Sequence, residues 1–333
     1  MHVVVADPMQ VRLGAQLREL AGPGLTWEFL TPGQSIADAS DSPEVFVGSK
    51  LSADELPPAA DLQLVQVAGA GYEGIDLHAL PAGARVANTS HHGRAIAEYC
   101  VMSMLALSRD LIREDRALRT GRWLSVFQDP GSPVHETLEG RTVGILGMGE
   151  IGEHVAILAT ALGMRVVGIR RHPERPTAVP VAWMGGTDDI DTLLTLSDFV
   201  VVTTPLSEHT RGLIGARELA LLAPHAVLIN VARGPIVDEQ ALFDALRNGA
   251  IRGAAIDVWW QYPEQGNLRS PSRLPFGELD NVILTPHTSG VTSDVFHRRM
   301  KDVARNIAAL RDGGELRNIV YESPIHPNPI ESR

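Results

Sequence analysis

Cysteine is almost absent: one residue, Cys100, in a chain of 333. Lying inside an apolar helical run, it excludes an intrachain disulfide, and it reads as a small buried hydrophobe rather than a nucleophile. One cysteine fits a reducing cytoplasm. Long apolar runs are missing too. No stretch has the length of a membrane span, and the opening MHVVVAD is short and without a basic leader, so it reads as a first strand rather than a signal peptide. Positive charge is in deficit. A formal net charge of −11 disfavours nonspecific binding to nucleic acid or anionic membranes and points to work on small molecules. His91 and His92 are adjacent, but no Cys, Asp or Glu cluster at ligand spacing accompanies them, so no metal is expected. No solenoid-type internal repeat is present.

What the chain does have is apolar residues, 44% of the total, at a length that exceeds a usual single core, so two domains are expected. The stretch Arg141 to Gly152, RTVGILGMGEIG, organises the rest. Thr142 to Leu146 is an apolar β-branched run. Gly147, Gly149 and Gly152 follow at GxGxxG spacing and open the helical segment Glu153 to Leu162. The first glycine permits a tight turn, the second lets a pyrophosphate approach the backbone, and the third lets helix and strand pack closely. An anion then rests on free N–H groups at the helix start. A second strand at Arg165 to Ile169 completes the unit expected for dinucleotide binding.

Around this unit the chain alternates strands and helices. Strands are expected at His2 to Ala6, Trp27 to Leu30, Val45 to Val47, Leu64 to Val67 and Val86 to Asn88, then at Phe199 to Thr203, Ala226 to Asn230, Ala254 to Val258 and Val282 to Thr285. Helices are expected at Gln10 to Leu20, as one long element from Ala95 to Arg119, at Ile190 to Leu196, Ala216 to Leu222 and Glu239 to Asn248, and at Thr292 to Leu310. Trp123 to His135 and Tyr262 to Glu278 read as loops. The pattern implies α/β architecture with parallel sheets covered on both faces. Trp259 and Trp260 read as pocket lining or, at least as well, as core or interface residues.

Several motifs stand in register: TLEGRTVGILGMGEIG, TTPLSEHTRGLIG, INVARGPIVDE, GAAIDVW and LTPHTSG, preceded by VAGAGYEGID. With them the chain resembles the D-isomer-specific 2-hydroxyacid dehydrogenases over nearly its whole length. That resemblance implies two Rossmann-like doubly wound domains with a crevice between them. Residues 1 to about 98 and about 288 to 333 would form the substrate domain, and 99 to 287 the dinucleotide domain. It implies a homodimer and a nicotinamide cofactor. Arg233 matches the arginine that grips the substrate carboxylate, and a guanidinium offers the donor fork such a group fits. His287 matches the acid/base, a role suited to imidazole. Asp257 matches the residue that holds the nicotinamide carboxamide. Ala70 and Gly71 match backbone donors to the substrate carboxylate. Gly147, Gly149, Glu150, Ile151, Gly152, Thr204, Pro205, Val231, Ala232 and Gly290 fall at the cofactor-binding positions.

Two departures matter. The family's glutamate partner of the histidine, five residues beyond the aspartate, is here Tyr262; Glu264, two residues on, is a candidate substitute. Formate dehydrogenases of the superfamily also lack a carboxylate there and share the serine-glycine found at Ser289-Gly290. Secondly, Arg170, followed by Arg171, stands where NAD-specific members carry aspartate, so NADP(H) is expected in preference to NAD(H), with NAD(H) possible. The implied activity is interconversion of a 2-oxo acid and a D-2-hydroxy acid. The alternatives are oxidation of formate or phosphite, and a dinucleotide-sensing binding protein without turnover.

Overall fold

The structure, a computed structural model, describes residues 1–31, 33–56, 61–263 and 268–324. It divides into two compact units, Met1–His91 with Thr292–Arg333, and His92–Val291.

In the first unit, the valine-rich segments form β1 (His2–Val5), β3 (Val45–Val47) and neighbouring β2 (Thr26–Phe29), β4 (Leu64–Gln66) and β5 (Arg85–Ala87). They pair in the order β2-β1-β3-β4-β5, all parallel. Side chains alternate strictly. Val3, Val5, Val45, Val47 and Leu64 enter one core, while Val4, Phe46 and Val65 enter the other. Each such burial contributes roughly 1.5–3 kcal/mol, and a register slip of one residue would exchange the two faces. The expected helix Gln10 to Leu20 is two helices, α1 (Pro8–Arg12) and α2 (Gly14–Ala21), meeting at Leu13. Asp7 starts α1 by accepting from the N–H groups of Met9 and Gln10 at 3.0 and 2.9 Å.

The second unit opens with α3 (Gly93–Ser108) and α4 (Leu111–Arg119). Its strands are β6 (Thr142–Leu146), β7 (Arg165–Ile169), β8 (Trp183–Gly185), β9 (Phe199–Val202), β10 (Val227–Asn230), β11 (Gly253–Ile256) and β12 (Val282–Leu284). Between them lie α5 (Glu150–Ala161), α6 (Ile190–Leu196), α7 (Ala216–Leu219) and α8 (Glu239–Arg247). The strands form a parallel sheet ordered β8-β7-β6-β9-β10-β11-β12. The order reverses between β6 and β9, so their loops part at the carboxyl edge, where α/β sheets bind ligands. Here too the period of two holds. Val143, Ile145, Phe199, Val201, Val227 and Ile229 face one core, and Leu146, Val200, Val202 and Leu228 the other. The chain then returns to the first unit as α9 (Ser293–Arg311), which packs on α2, and as β13 (Ile319–Glu322), antiparallel to β5.

The structure departs from the sequence reading in four further places. The long helix expected from Ala95 to Arg119 is broken at Arg109-Asp110, where Asp110 takes a left-handed φ of 45°. The cause is distant in sequence. Arg252 donates from Nε and Nη2 to the carbonyls of Leu107 and Ser108, at 3.3 and 3.2 Å, satisfying acceptors that a continuing helix would have used. The Ser108 hydroxyl also donates back to Met104. The unit boundaries fall at His91/His92 and Val291/Thr292, not at 98/99 and 287/288, because the whole of α3 lies along α5 and belongs to the second unit's core. Strands β8 and β13 were not expected. WMG lacks β-branched residues, and IVYE follows a helix on an edge with a register shift. The antiparallel β13 also makes the first unit's sheet mixed rather than wholly parallel.

Candidate active site

Because the second unit's strands run parallel, the loops after them gather at one edge of its sheet. Gly147 turns with φ 107°, and a Cβ there would come 2.6 Å from the Thr204 nitrogen, so the loop after β6 touches the loop after β9. Thr203 fixes the turn by donating to the Gly147 carbonyl at 2.7 Å. A Cβ on Gly152 would meet the Gly147 carbonyl oxygen at 2.7 Å, which keeps α5 tight on β6. Gly149 differs: nothing lies within 4 Å of where its Cβ would be. It precedes α5 without a side-chain cap, so helix geometry leaves the N–H groups of Glu150 and Ile151 without partners in their own helix. The open face above uncapped donors has the chemistry a pyrophosphate requires.

Asp257, fully buried after β11, holds the loop after β12. Its Oδ1 accepts from Thr285 Oγ1 at 2.6 Å and from the Thr288 N–H at 2.8 Å, and Oδ2 accepts from the Ser289 N–H at 3.0 Å. Tyr99 of α3 lies 2.8 Å from Thr285 Oγ1. Since the Thr285 proton goes to the carboxylate, the Tyr99 hydroxyl is the donor of that pair. An ionised carboxylate has about four acceptor sites. Three are used, all by the loop after β12. His287, between these anchors, has a left-handed φ of 60°. A non-glycine residue holds that conformation only when its surroundings over-determine it, and Asp257 does so through the two following N–H groups.

Tyr262 and His287, 25 residues apart, meet here: Oη lies 3.0 Å from Nδ1. The Trp259 N–H donates to the same Oη at 3.1 Å. With a neutral ring protonated at Nε2 the phenol donates to Nδ1; with imidazolium Nδ1–H donates to Oη, and Nε2–H is in either case the proton turned away from this pair. Burial lowers the His287 pKa from its ordinary value; Asp257 opposes this, and Arg233 lowers it further. Burial raises the Tyr262 pKa, opposed by the Trp259 hydrogen bond and by Arg233. Arg233 is thus close enough to act on both. Its loop is locked in place: Asn230 accepts from the Ala232 N–H at 3.1 Å and donates to the Arg233 carbonyl at 3.0 Å. A Cβ on Gly234 would meet the Trp260 nitrogen at 2.8 Å. Glu264, the candidate substitute for the missing carboxylate, lies outside the described residues.

The structure brings Arg233, Tyr262, Asp257 and His287 to one edge, with Val231 and Ala232 buried beneath Arg233. Gly290 closes on α3, where a Cβ would lie 3.3 Å from His92 Cβ. Pro205 begins a turn in which its carbonyl accepts from Thr210 at 2.8 Å. Ala70 and Gly71 lie in the first unit after β4, where the Ala70 carbonyl accepts from Asn88 Nδ2 at 2.8 Å. Trp259 and Trp260 take the core reading. Their indoles donate to the carbonyls of Thr285 and Val237 at 2.8 and 2.9 Å, and Trp260 stacks on Phe276. Sequence reasoning missed Tyr99, Thr285 and the Trp259 N–H. Thr285 stands in a motif beside the histidine, but its partner on α3 had no sequence signal. Arg170 and Arg171 do not act as a pair: Arg170 donates to the carbonyls of Arg175 and Pro176, whereas Arg171 is exposed.

Residues 101–289 match the family described as D-isomer specific 2-hydroxyacid dehydrogenase, NAD binding domain. The chain is 32% identical over 324 residues to a D-3-phosphoglycerate dehydrogenase of Methanocaldococcus jannaschii, covering 96% of this chain but 59% of that protein. It is 32% identical to a glyoxylate reductase of Thermofilum pendens, covering 85% of this chain and 81% of that one. A D-isomer specific 2-hydroxyacid dehydrogenase of Xanthobacter autotrophicus, solved with NADPH and MES, aligns at a TM-score of 0.73 and 29% identity, over 96% of this chain and 98% of its own. The glycine turn, the buried aspartate and the arginine and histidine loops thus lie on a chain that belongs to the D-isomer specific 2-hydroxyacid dehydrogenase family.

Proposed function

We propose that this chain reduces a small 2-oxo acid to the D-2-hydroxy acid, or runs the reverse reaction, with NADPH preferred and NADH usable. The observation that carries this reading is the 3.0 Å contact of Tyr262 with His287 Nδ1, which occupies that nitrogen and leaves Nε2 for the substrate. The Arg233 guanidinium holds the substrate carboxylate and polarises its carbonyl. Reduced nicotinamide, when bound, supplies hydride to the carbonyl carbon. His287, as imidazolium, supplies the proton to the carbonyl oxygen from Nε2 and is left as neutral imidazole, so that one hydride and one proton convert the ketone to the alcohol. Asp257, its carboxylate held by Thr285, Thr288 and Ser289, orients the carboxamide. Arginine in place of an acid after β7 favours the 2′-phosphate of NADPH.

The chain works as a homodimer in the cytoplasm in this reading. Support for the dimer comes from large exposed apolar side chains on α3, α4 and the loop that follows: Met102, Leu111, Leu118, Trp123, Phe127 and Val134. The absorbance of reduced nicotinamide, followed with NADPH and NADH against glyoxylate, hydroxypyruvate, pyruvate and bulkier 2-oxo acids, tests substrate class and cofactor together. Tight cofactor binding without turnover of any of them would refute the enzymatic reading.

A further inference from the structure

The stretch LRSPSR, Leu268 to Arg273, has no periodicity of its own, yet it is fastened at both ends within the second unit. At its far end the Ser272 hydroxyl, buried in a residue 4% exposed, donates to Glu239 Oε1 at 2.7 Å and accepts the Leu274 N–H at 2.9 Å. The Arg273 N–H donates to the same Glu239 oxygen at 2.9 Å, so a carboxylate in the first turn of α8 grips the segment by two bonds. Bonds to an ionised acceptor are the stronger kind. Pro271 limits the backbone between the two serines. At its near end the segment runs beside the residues that follow β11. The Gln261 N–H donates to the Pro271 carbonyl at 3.1 Å, Arg269 Nε donates to Gln261 Oε1 at 3.3 Å, and Arg269 Nη1 donates to the Tyr262 carbonyl at 3.2 Å. Trp260 stacks on Phe276 with ring centroids 5.5 Å apart and joins the two stretches again from the core side. Tyr262 itself is 41% exposed, too open for packing alone to fix its ring. Its oxygen is held by the Trp259 N–H and His287, and its carbonyl by Arg269.

We propose that Arg269 is a positioning residue for the Tyr262–His287 pair: carried by the Glu239–Ser272 clip, it sets the backbone of Tyr262 so that the phenol meets Nδ1 and Nε2 is left for the substrate. This rests on the reading of His287 as the acid. A phenol oxygen stands at the far end of a rigid ring, so a small rotation of the tyrosine backbone displaces it by more than a hydrogen bond tolerates. Arginine suits the place better than lysine. Two donors of one planar guanidinium meet acceptors on neighbouring residues, Gln261 and Tyr262, which fixes direction as well as distance.

The test is nitrogen NMR of the imidazole rings in the cofactor-free protein, at a pH where His287 is neutral, with its signals assigned by their loss in His287→Gln. Tyr262→Phe supplies the shifts of the ring without its phenol. Arg269→Ala is expected to move both His287 ring nitrogens most of the way to the Tyr262→Phe positions. It is also expected to lower kcat roughly 3- to 10-fold, the worth of one ordinary hydrogen bond, with the KM for NADPH within about twofold of wild type. In the Tyr262→Phe background the same replacement should change neither the shifts nor kcat further, because the contact it serves is already gone. Arg269→Lys keeps one donor for the Tyr262 carbonyl and is expected to retain kcat within about twofold. Ser272→Ala loosens the anchor from a distance and should move the signals the same way by less. His287 signals that stay at their wild-type positions in Arg269→Ala overturn the proposal. An equal fall in kcat with and without the phenol overturns it as well, because it marks a role in loop stability alone. Unmoved signals in Ser272→Ala overturn the part given to the clip. Arg269 is exposed, so Arg269→Ala is expected to keep the wild-type Tm. Full turnover in His287→Ala refutes the acid reading alone; the ring signals still report whether Arg269 holds the phenol on Nδ1.

Discussion

Replacing Tyr262 with glutamate should move the pH at which reduction fails. Reduction needs imidazolium at His287, so kcat/KM falls as pH rises through the histidine pKa of the free enzyme. In the native chain that pKa lies below its ordinary 6.5, because burial disfavours the charged ring and Arg233 adds to the effect, while Asp257 only partly opposes them. A phenol at 3.0 Å from Nδ1 brings no charge to change that balance. A carboxylate within hydrogen-bonding reach of the ring favours imidazolium and raises such a pKa by roughly 1–3 units. Each unit multiplies the protonated fraction about tenfold on the alkaline side of the pKa. Tyr262→Glu should therefore carry the alkaline limb of kcat/KM upward by at least about one unit. Its maximum can fall, because the Trp259 N–H and the ring lose the partner they share. The measurement is the pH dependence of kcat/KM for a 2-oxo acid at saturating cofactor, and the limb's position is independent of its height. Tyr262→Phe should lower the rate by freeing the ring, with no upward move of the limb. Glu264→Gln should leave the limb where it is. An unmoved limb in Tyr262→Glu refutes the electrostatic argument. If Glu264→Gln instead lowers the limb, Glu264 is the partner, and full turnover in His287→Ala would remove the acid/base assignment altogether.

Gly149→Ala and Gly152→Ala should separate binding from folding. The first adds a methyl into open space, so Tm is kept while the cofactor KM rises; the second drives a Cβ to 2.7 Å from a backbone oxygen, and Tm falls. Thr285→Val removes a donor to the buried Asp257, a hydrogen bond to a charged group contributing roughly 1.5–3 kcal/mol, so it should raise the KM for both cofactors; Tyr99→Phe, one step further out, should do so less. A 3-acetylpyridine analogue, which lacks the carboxamide N–H, should be nearly indifferent to Thr285→Val, and an equal loss with the analogue would show that Asp257 does not act on the carboxamide. Light scattering should give a dimer's mass, and Phe127→Asp with Trp123→Asp should shift it toward the monomer; a native monomer would dispose of the proposed interface.

The sequence alone determined whatever depends on neighbours along the chain. Strands such as Val3 to Val5 and Phe199 to Val202 were legible because period two places alternate side chains in separate cores whatever lies beyond them. The glycine turn was legible because the positive φ of Gly147 and the approach of Gly152 to the Gly147 carbonyl are local, although the Thr204 nitrogen that also excludes a Cβ at Gly147 comes from the loop after β9. The order of the arginine, aspartate and histidine loops followed from the alternation of strands and helices, which brings every carboxyl-end loop of a parallel sheet to one side. Contacts between distant segments decided the rest. The helix pattern running past Ser108 holds no Gly or Pro to stop it; besides the Ser108 back-bond to Met104, it ends where Arg252, 144 residues beyond Ser108, takes the carbonyls of Leu107 and Ser108. Trp259 and Trp260 became core because carbonyls of other segments accept their indole protons. Arg170 and Arg171 are the same residue type side by side, and only the fold of the loop 172–176 back onto Arg170 makes one a clasp and leaves the other exposed. Which nitrogen of His287 is engaged was likewise decided by tertiary structure, since Nδ1 meets a phenol 25 residues away whose oxygen also accepts a backbone N–H.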